Sequence, residues 1–171
     1  ECDWDRSVKN DSEIVNFVKQ CKIREPINPR DALFGGRTNG VKLHHICSVN
    51  EEIGYDDITS LYPFVQKYCN YPIAHPLLLT ENFDDVKKYF GVIKCKVLPP
   101  RGLYFPVLPS RINGKLVFPL CRTCAQLQQT KCNHSIEEKC LEGTWVTLEV
   151  QEALRQGYQI VEIYEVWHWE K

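Results

Sequence analysis

An α+β domain built mainly on strands is what this sequence predicts, and three observations carry that expectation. Several stretches are rich in β-branched and aromatic residues or alternate apolar with polar ones, among them VKLHHICSV (41–49), FGVIKCKVL (90–98) and QIVEIYEVWHW (159–169). Two others, SEIVNFVKQCK (12–22) and VTLEVQEALRQGY (146–158), space their apolar residues as a helix does. The chain has 171 residues, 43% of them hydrophobic and 25% charged, which suits one folded core.

In chain order, Ser12 reads as the N-cap of a first helix, which the prolines and glycines of EPINPRDALFGGRTNG (25–40) then stop. Residues 41–49 read as a strand, NEEIG (50–54) as a hairpin-like link, and IGYDDI (53–58) as a second strand. SLYPFVQKYC then reads as a short helix, with Ser60 as cap and Pro63 in the first turn, where its missing N–H matters little. Residues 90–98 and GLYFPVLP (102–109) are expected to pair across the PPRG turn, and GKLVFPL (114–120) to add a strand. Thr147 is expected to cap the last helix, Gly157 to end it, and residues 159–169 to form a long final strand. Helices are expected on one face of the sheet.

The totals also exclude functions. A formal net charge of −1 offers no bulk basic field to a nucleic acid, though a local groove stays possible. No apolar run approaches the roughly 20 residues that span a bilayer, and no signal-peptide pattern opens the chain. Nine cysteines, an odd number spread along the chain, do not read as a secreted disulfide framework. Cys2, Cys21, Cys47, Cys69 and Cys95 are expected to be buried free thiols of an intracellular protein. The sequence has no methionine, so Glu1 reads as an internal position of something longer.

Two carboxylates end the second expected strand. Side chains alternate along a strand, so Asp56 and Asp57 would face opposite ways and only one could serve a site. A carboxylate at a strand end, directly before a helix start, can present oxygen to a hard divalent cation and its bound phosphates.

The stretch DITSLYP (57–63) matches the D-x-x-S-L-Y-P motif of family B DNA polymerases. LFGGRTNG (33–40) lies upstream, where the protein-primed branch of that family carries an aromatic-Gly-Gly motif. With YFGVIKCKVLPP and PLCRTCA, these blocks make nearly the whole chain resemble the protein-primed, organellar and viral type, and in particular the polymerases of Maverick/Polinton transposons. The resemblance implies a partial palm over residues 31–171, preceded by a helical lead-in over residues 1–30 and carrying an insertion near 119–141. It implies Asp57 as a Mg²⁺ ligand with the Ile58 carbonyl beside it, Ser60 and Leu61 near nucleotide phosphates, and Tyr62 beneath the incoming sugar. It implies contact of Phe34, Gly35, Gly36 and Arg37 with template DNA, two glycines admitting a backbone phosphate and Arg37 adding a forked donor. Lys115 and Arg122 read as solvated cations, with added phosphate contacts as the other reading, and His44, His45, Trp145, Trp167 and His168 as packing or surface residues.

Two-metal phosphoryl transfer needs carboxylates from two strands. The family's Y-x-D-T-D-S and K-x-x-x-N-S-x-Y-G motifs do not occur within these residues, so this stretch alone is expected to be inactive. The implied partners are primer-template DNA, deoxynucleoside triphosphates and a terminal priming protein, in a nucleus, an organelle or an infected host cell. The alternative is a non-catalytic, zinc-containing module that binds DNA or protein.

Cys121-x2-Cys124, followed by Cys132-x-His134, offers four ligands for a tetrahedral, structural Zn²⁺, with Cys140 in reserve. Free thiols in a surface insertion are the other reading.

Overall fold

The computed structural model describes residues 6, 10–20, 25–38, 40 and 42–170. Cys2, Cys21, the end of the first expected helix and the start of the 41–49 strand lie outside them. The described chain runs α1 (Ser12–Gln20), a 3-10 turn (Pro29–Ala32), α2 (Leu61–Tyr68), β1 (Leu77–Leu79), a second 3-10 turn (Val86–Lys88), β2 (Gly91–Leu98), β3 (Ser110–Ile112) and β4 (Lys115–Val117). It continues through α3 (Arg122–Leu127), α4 (Ile136–Lys139), β5 (Leu141–Val146), α5 (Thr147–Arg155) and β6 (Gln159–His168). Among the described residues this makes a mixed fold with a four-stranded antiparallel sheet, ordered β1-β6-β2-β5, and a separate β3-β4 hairpin.

The alternation of GVIKCKVL sets the sheet. Gly91, Ile93, Cys95 and Val97 are buried, while the residues between them are half-buried. Opposite residues in an antiparallel pair share a face, so Ile93 brings Trp145 and Val166 with it, and Val97 brings Leu141 and Ile160. Helix α5 packs against β2 and β5, and its Val150 and Ala153 join this cluster. Lys94 and Glu165 hold the other face: Lys94 Nζ donates to the Glu25 carbonyl at 2.7 Å, and Glu165 accepts from the Ile27 N–H at 2.8 Å. Residues 25–34 are thereby strapped to the sheet, with Ile27 and Ala32 buried.

Two features of β6 are not visible in its residues alone. Its apolar positions, Ile160, Ile163 and Val166, recur every third residue, which is out of step with a strand. The register skips Tyr164 and Val161, and these two bulges bring all three apolar residues back to one face.

Gly91 begins β2 at φ +146°, where any Cβ would fall on the Trp167 carbonyl oxygen and the Trp169 ring. Its N–H donates to Thr147 Oγ1 at 3.0 Å. Thr147 therefore does not cap α5; it is fully buried and serves Gly91, while Val146 is the N-cap residue and Glu149 reaches back to the Val146 N–H. Gly157 ends the helix as expected, at φ +91°, with Gly157 N–H on Leu154 O and Tyr158 N–H on Ala153 O.

Other expectations are corrected. Asp11, not Ser12, caps α1, its carboxylate accepting from Glu13 N–H at 2.9 Å; a carboxylate is the stronger acceptor for a helix's orphan donors. Residues 42–58 contain no strand: the turn around residue 50 forms, with Glu51 N–H on Ser48 O, but no strand pairs with the segments on either side among the described residues. Residues 102–109 do not pair with β2, because β5 and β6 occupy both its edges. The expected strand at 114–120 shortens to β4, paired with β3. Cys95 is buried, but Cys47 is half-buried and Cys69 exposed. No helix of the described residues is long and apolar enough to cross a membrane.

Gly91→Ala is expected to destabilise the fold by more than about 1 kcal/mol in a denaturant titration, because both the backbone angle and the space forbid the methyl group. Gly35→Ala and Gly36→Ala are expected to stay within about 0.5 kcal/mol, since an added Cβ meets nothing within 4 Å at either position. A second outcome concerns Glu149, whose Oε2 is buried without a partner and whose pKa burial raises. A carboxyl with a raised folded-state pKa penalises folding above that pKa and ceases to do so below its unfolded value. Glu149→Gln is therefore expected to melt higher than the parent at neutral pH, with the gap closing as the pH falls into the carboxylate range.

Candidate functional site

At 57–63 the chain turns sharply into α2. Ser60 sits in the left-handed region at φ +58°, a conformation that L residues other than glycine adopt at some cost, and its hydroxyl makes no capping bond. The backbone turn, rather than a side-chain cap, starts the helix. Pro63 lies third in α2, where no intrahelical N–H is needed. Asp57, Ile58, Ser60, Leu61, Tyr62 and Pro63 line one open hollow of about 480 Å³. Asp56 is not among its lining residues. The expected strand is absent, yet the two neighbouring carboxylates are still separated, and Asp57 shares its hollow with a Tyr62 that is 81% exposed.

The Gly35-Gly36 segment crosses beside the proline-rich 99–109 loop. Neither glycine has a positive φ and neither is crowded, so the fold itself does not demand glycine there. Arg37 is engaged: its guanidinium lies 3.9 Å from the Phe118 ring centroid and donates to the Pro106 carbonyl. Phe34 packs against the buried cluster, and Arg111 covers its ring at 4.7 Å while donating to Leu33 O at 3.0 Å. The aromatic of this motif is thus half-buried, and the glycines and Arg37 form its open side.

The third assembly is a candidate metal centre. Cys121 and Cys124 flank the start of α3, while Cys132 and His134 come from the loop before α4. Their ligand atoms all lie within 4.8 Å of one another. His134 Nδ1 is 3.4, 3.3 and 3.7 Å from the sulfurs of Cys121, Cys124 and Cys132. A tetrahedral zinc with ordinary Zn–S and Zn–N bonds would set those separations at about 3.5 Å. The set is compatible with zinc. Hydrogen bonds from His134 bring Cys132 down to about 6, while burial and the neighbouring sulfurs push Cys124 up to about 12. A divalent cation would remove that conflict. Cys140 stays apart, buried, with its thiol donating to the Ile136 carbonyl at 3.2 Å. The Ser135–Glu138 capping box starts α4 one residue after His134, and Thr123 ties α3 to the Glu138 carbonyl at 2.8 Å.

Comparison with known proteins decides the family. Residues 12–171 match the family described as DNA polymerase type B, organellar and viral. This chain is a type B DNA polymerase sequence of that family. It is also 27% identical over 136 residues to a protein named "Probable DNA polymerase" from Neurospora intermedia; the matched region is 71% of this chain and 13% of that protein. No solved structure matches.

One property of this polymerase sequence is hidden by its net charge. From Val86 to Ile136, 51 residues, there is no aspartate or glutamate and there are nine lysines and arginines, against totals of 22 acidic and 21 basic residues in the chain. The near-neutral balance is the sum of a basic tract and an acidic remainder. A windowed charge count would have found it where the total did not.

Arg37→Ala removes both the stacked cation and the Pro106 contact. Backbone amide exchange in the 99–109 loop is expected to accelerate about 2- to 5-fold, the effect of losing an exposed cation–π contact. Hydrogen–deuterium exchange of a peptide covering that loop measures it.

Proposed function

We propose that this chain forms part of the palm of a DNA-directed DNA polymerase, with residues 57–62 as one half of its nucleotidyl-transfer site and residues 34–37 on the template strand. The observation that carries the reading is the shared hollow of Asp57 and Tyr62 in a chain of the type B family. The chain spans about one eighth of the Neurospora relative, 13% of its length.

In this reading Asp57 would hold Mg²⁺ with the Ile58 carbonyl beside it. An exposed carboxylate lining an open hollow suits a hard cation that keeps several of its waters. Bound Mg²⁺ supplies charge neutralisation on the triphosphate and orientation of the attacking 3′-hydroxyl. The chain's own residues do the remaining work. Backbone N–H groups of Leu61 and Tyr62, free of intrahelical partners at the start of α2, face incoming phosphate oxygens. The Tyr62 ring lies under the sugar and excludes a 2′-hydroxyl by collision. Gly35 and Gly36 let a phosphodiester approach the backbone, and the remaining donors of Arg37 contact it.

The Cys121, Cys124, Cys132 and His134 set holds one zinc in this reading. All four positions are filled by protein, so its role is structural: it closes a segment whose helices have four and six residues and no core of their own.

Asp57→Ala in the full-length protein is expected to reduce nucleotide incorporation by more than about 100-fold, beyond the loss seen when only a supporting metal partner is removed, while DNA affinity is kept. Primer extension and a DNA-binding titration decide it. Unchanged incorporation would leave a non-catalytic binding module as the reading. Elemental analysis is expected to find one zinc per chain, lost in Cys121→Ser and retained in Cys140→Ser.

A further inference from the structure

The loop PPRGLYFPVLP (99–109) is built to hold two aromatic rings outward. Four of its 11 residues are proline, which restricts the backbone before any tertiary contact is made. Its apolar residues anchor it on both sides of the aromatic pair: Leu103 and Val107 pack against the buried cluster, and Leu108 is fully buried within it. Hydrogen bonds pin the rest. Val107 N–H donates to the Tyr158 hydroxyl at 3.2 Å, Trp145 Nε1 donates to Pro109 O at 2.8 Å, and Arg37 donates to Pro106 O. Between these anchors Tyr104 is 71% exposed and Phe105 53% exposed, their rings edge-to-face with centroids 4.7 Å apart.

Their surroundings point to a ligand class. The Arg37 guanidinium lies 6.0 Å from the Phe105 centroid, and Arg101 is exposed at the start of the loop. The pair falls within the 51-residue tract that has no carboxylate. Exposed aromatic rings beside cations, in a sequence tract without carboxylates, match an unpaired polynucleotide, whose bases stack while its phosphates meet the positive charge. In a duplex those base faces are already occupied by neighbouring bases.

We propose that Tyr104 and Phe105 form a stacking platform for unpaired bases of a nucleic-acid strand, with Arg37 and Arg101 contacting the adjoining phosphates. The class of ligand rests on the polymerase reading above, and the platform extends that reading to a surface outside the 57–62 hollow.

The test uses the full-length protein, a fluorescent 12-nucleotide oligo-dT and a blunt duplex of equal length, with binding followed by anisotropy at fixed salt. Tyr104→Ala/Phe105→Ala is expected to weaken oligo-dT binding at least about 10-fold, with the duplex changing less than about 2-fold. Tyr104→Trp, which keeps a π-face, is expected to bind oligo-dT as tightly as the parent or tighter. Circular dichroism checks that the double variant remains folded; with both rings exposed, little stability is at stake. Unchanged oligo-dT affinity overturns the platform, as does an equal loss for single strand and duplex. Asp57→Ala run in parallel separates the two ideas. A dead Asp57→Ala enzyme whose platform variant binds normally removes the platform alone, whereas an active Asp57→Ala enzyme removes the catalytic assignment alone.

Discussion

Strand β2 has a hydrogen-bonded neighbour on each side, and the described fold follows from what its inward residues require. Ile93 and Val97 must meet apolar partners at matching heights on both β5 and β6. On β5 the fit is direct, Trp145 and Leu141 standing opposite Ile93 and Val97. On β6 the apolar residues are spaced by three, and the strand meets the requirement by bulging twice. A slip of one residue would instead turn Lys94 and Lys96 toward α5. Cys95, at the centre, is held as a neutral thiol, its pKa pushed up to about 12 by burial, so it acts as a small apolar residue.

This framework also decides which distant segments meet. The 25–34 strap is fastened to β2 and β6 through Lys94 and Glu165, which brings Phe34, the glycine pair and Arg37 to the 99–109 loop and the β3-β4 hairpin. The segment carrying the Cys/His quartet is attached two residues further along the same strand. Lys96 pairs with Glu137 of α4, and β5 begins one residue after Cys140. Exposed ion pairs add little on their own, so the attachment depends chiefly on chain continuity from Cys140 into the buried Leu141.

Much of this was legible in the residues. Alternation identified β2, the glycine at 157 identified the end of α5, and cysteine spacing picked out four residues that the fold brings together. What failed did so for particular reasons. Residues 41–58 have strand-like composition, but a strand is a relation between segments and needs a partner. The 102–109 stretch reads as a strand because its Leu and Val residues are apolar, whereas its prolines and the prior occupation of both β2 edges make it a loop. Thr147 looked like a cap because threonine usually is one in front of a helix. The orphan N–H of Gly91, contributed 56 residues earlier in the chain, is invisible to any local rule. At 57–63 the motif was readable while its support was not.

That support has a consequence of its own. Helix α2 has eight residues and none of them is buried; its side chains contribute a Phe64–Tyr68 ring contact at 4.9 Å and Lys67 over Tyr68 at 5.0 Å. Helices of that length are marginal in water, since nucleation is unfavourable and few bonds repay it. The pocket wall formed by Leu61 and Tyr62 therefore persists only as far as some other surface holds the helix in shape. Under the proposed function, nucleotide affinity at Asp57 would be thermodynamically linked to the surroundings of α2, so a change there would alter it without touching any residue proposed to meet the nucleotide.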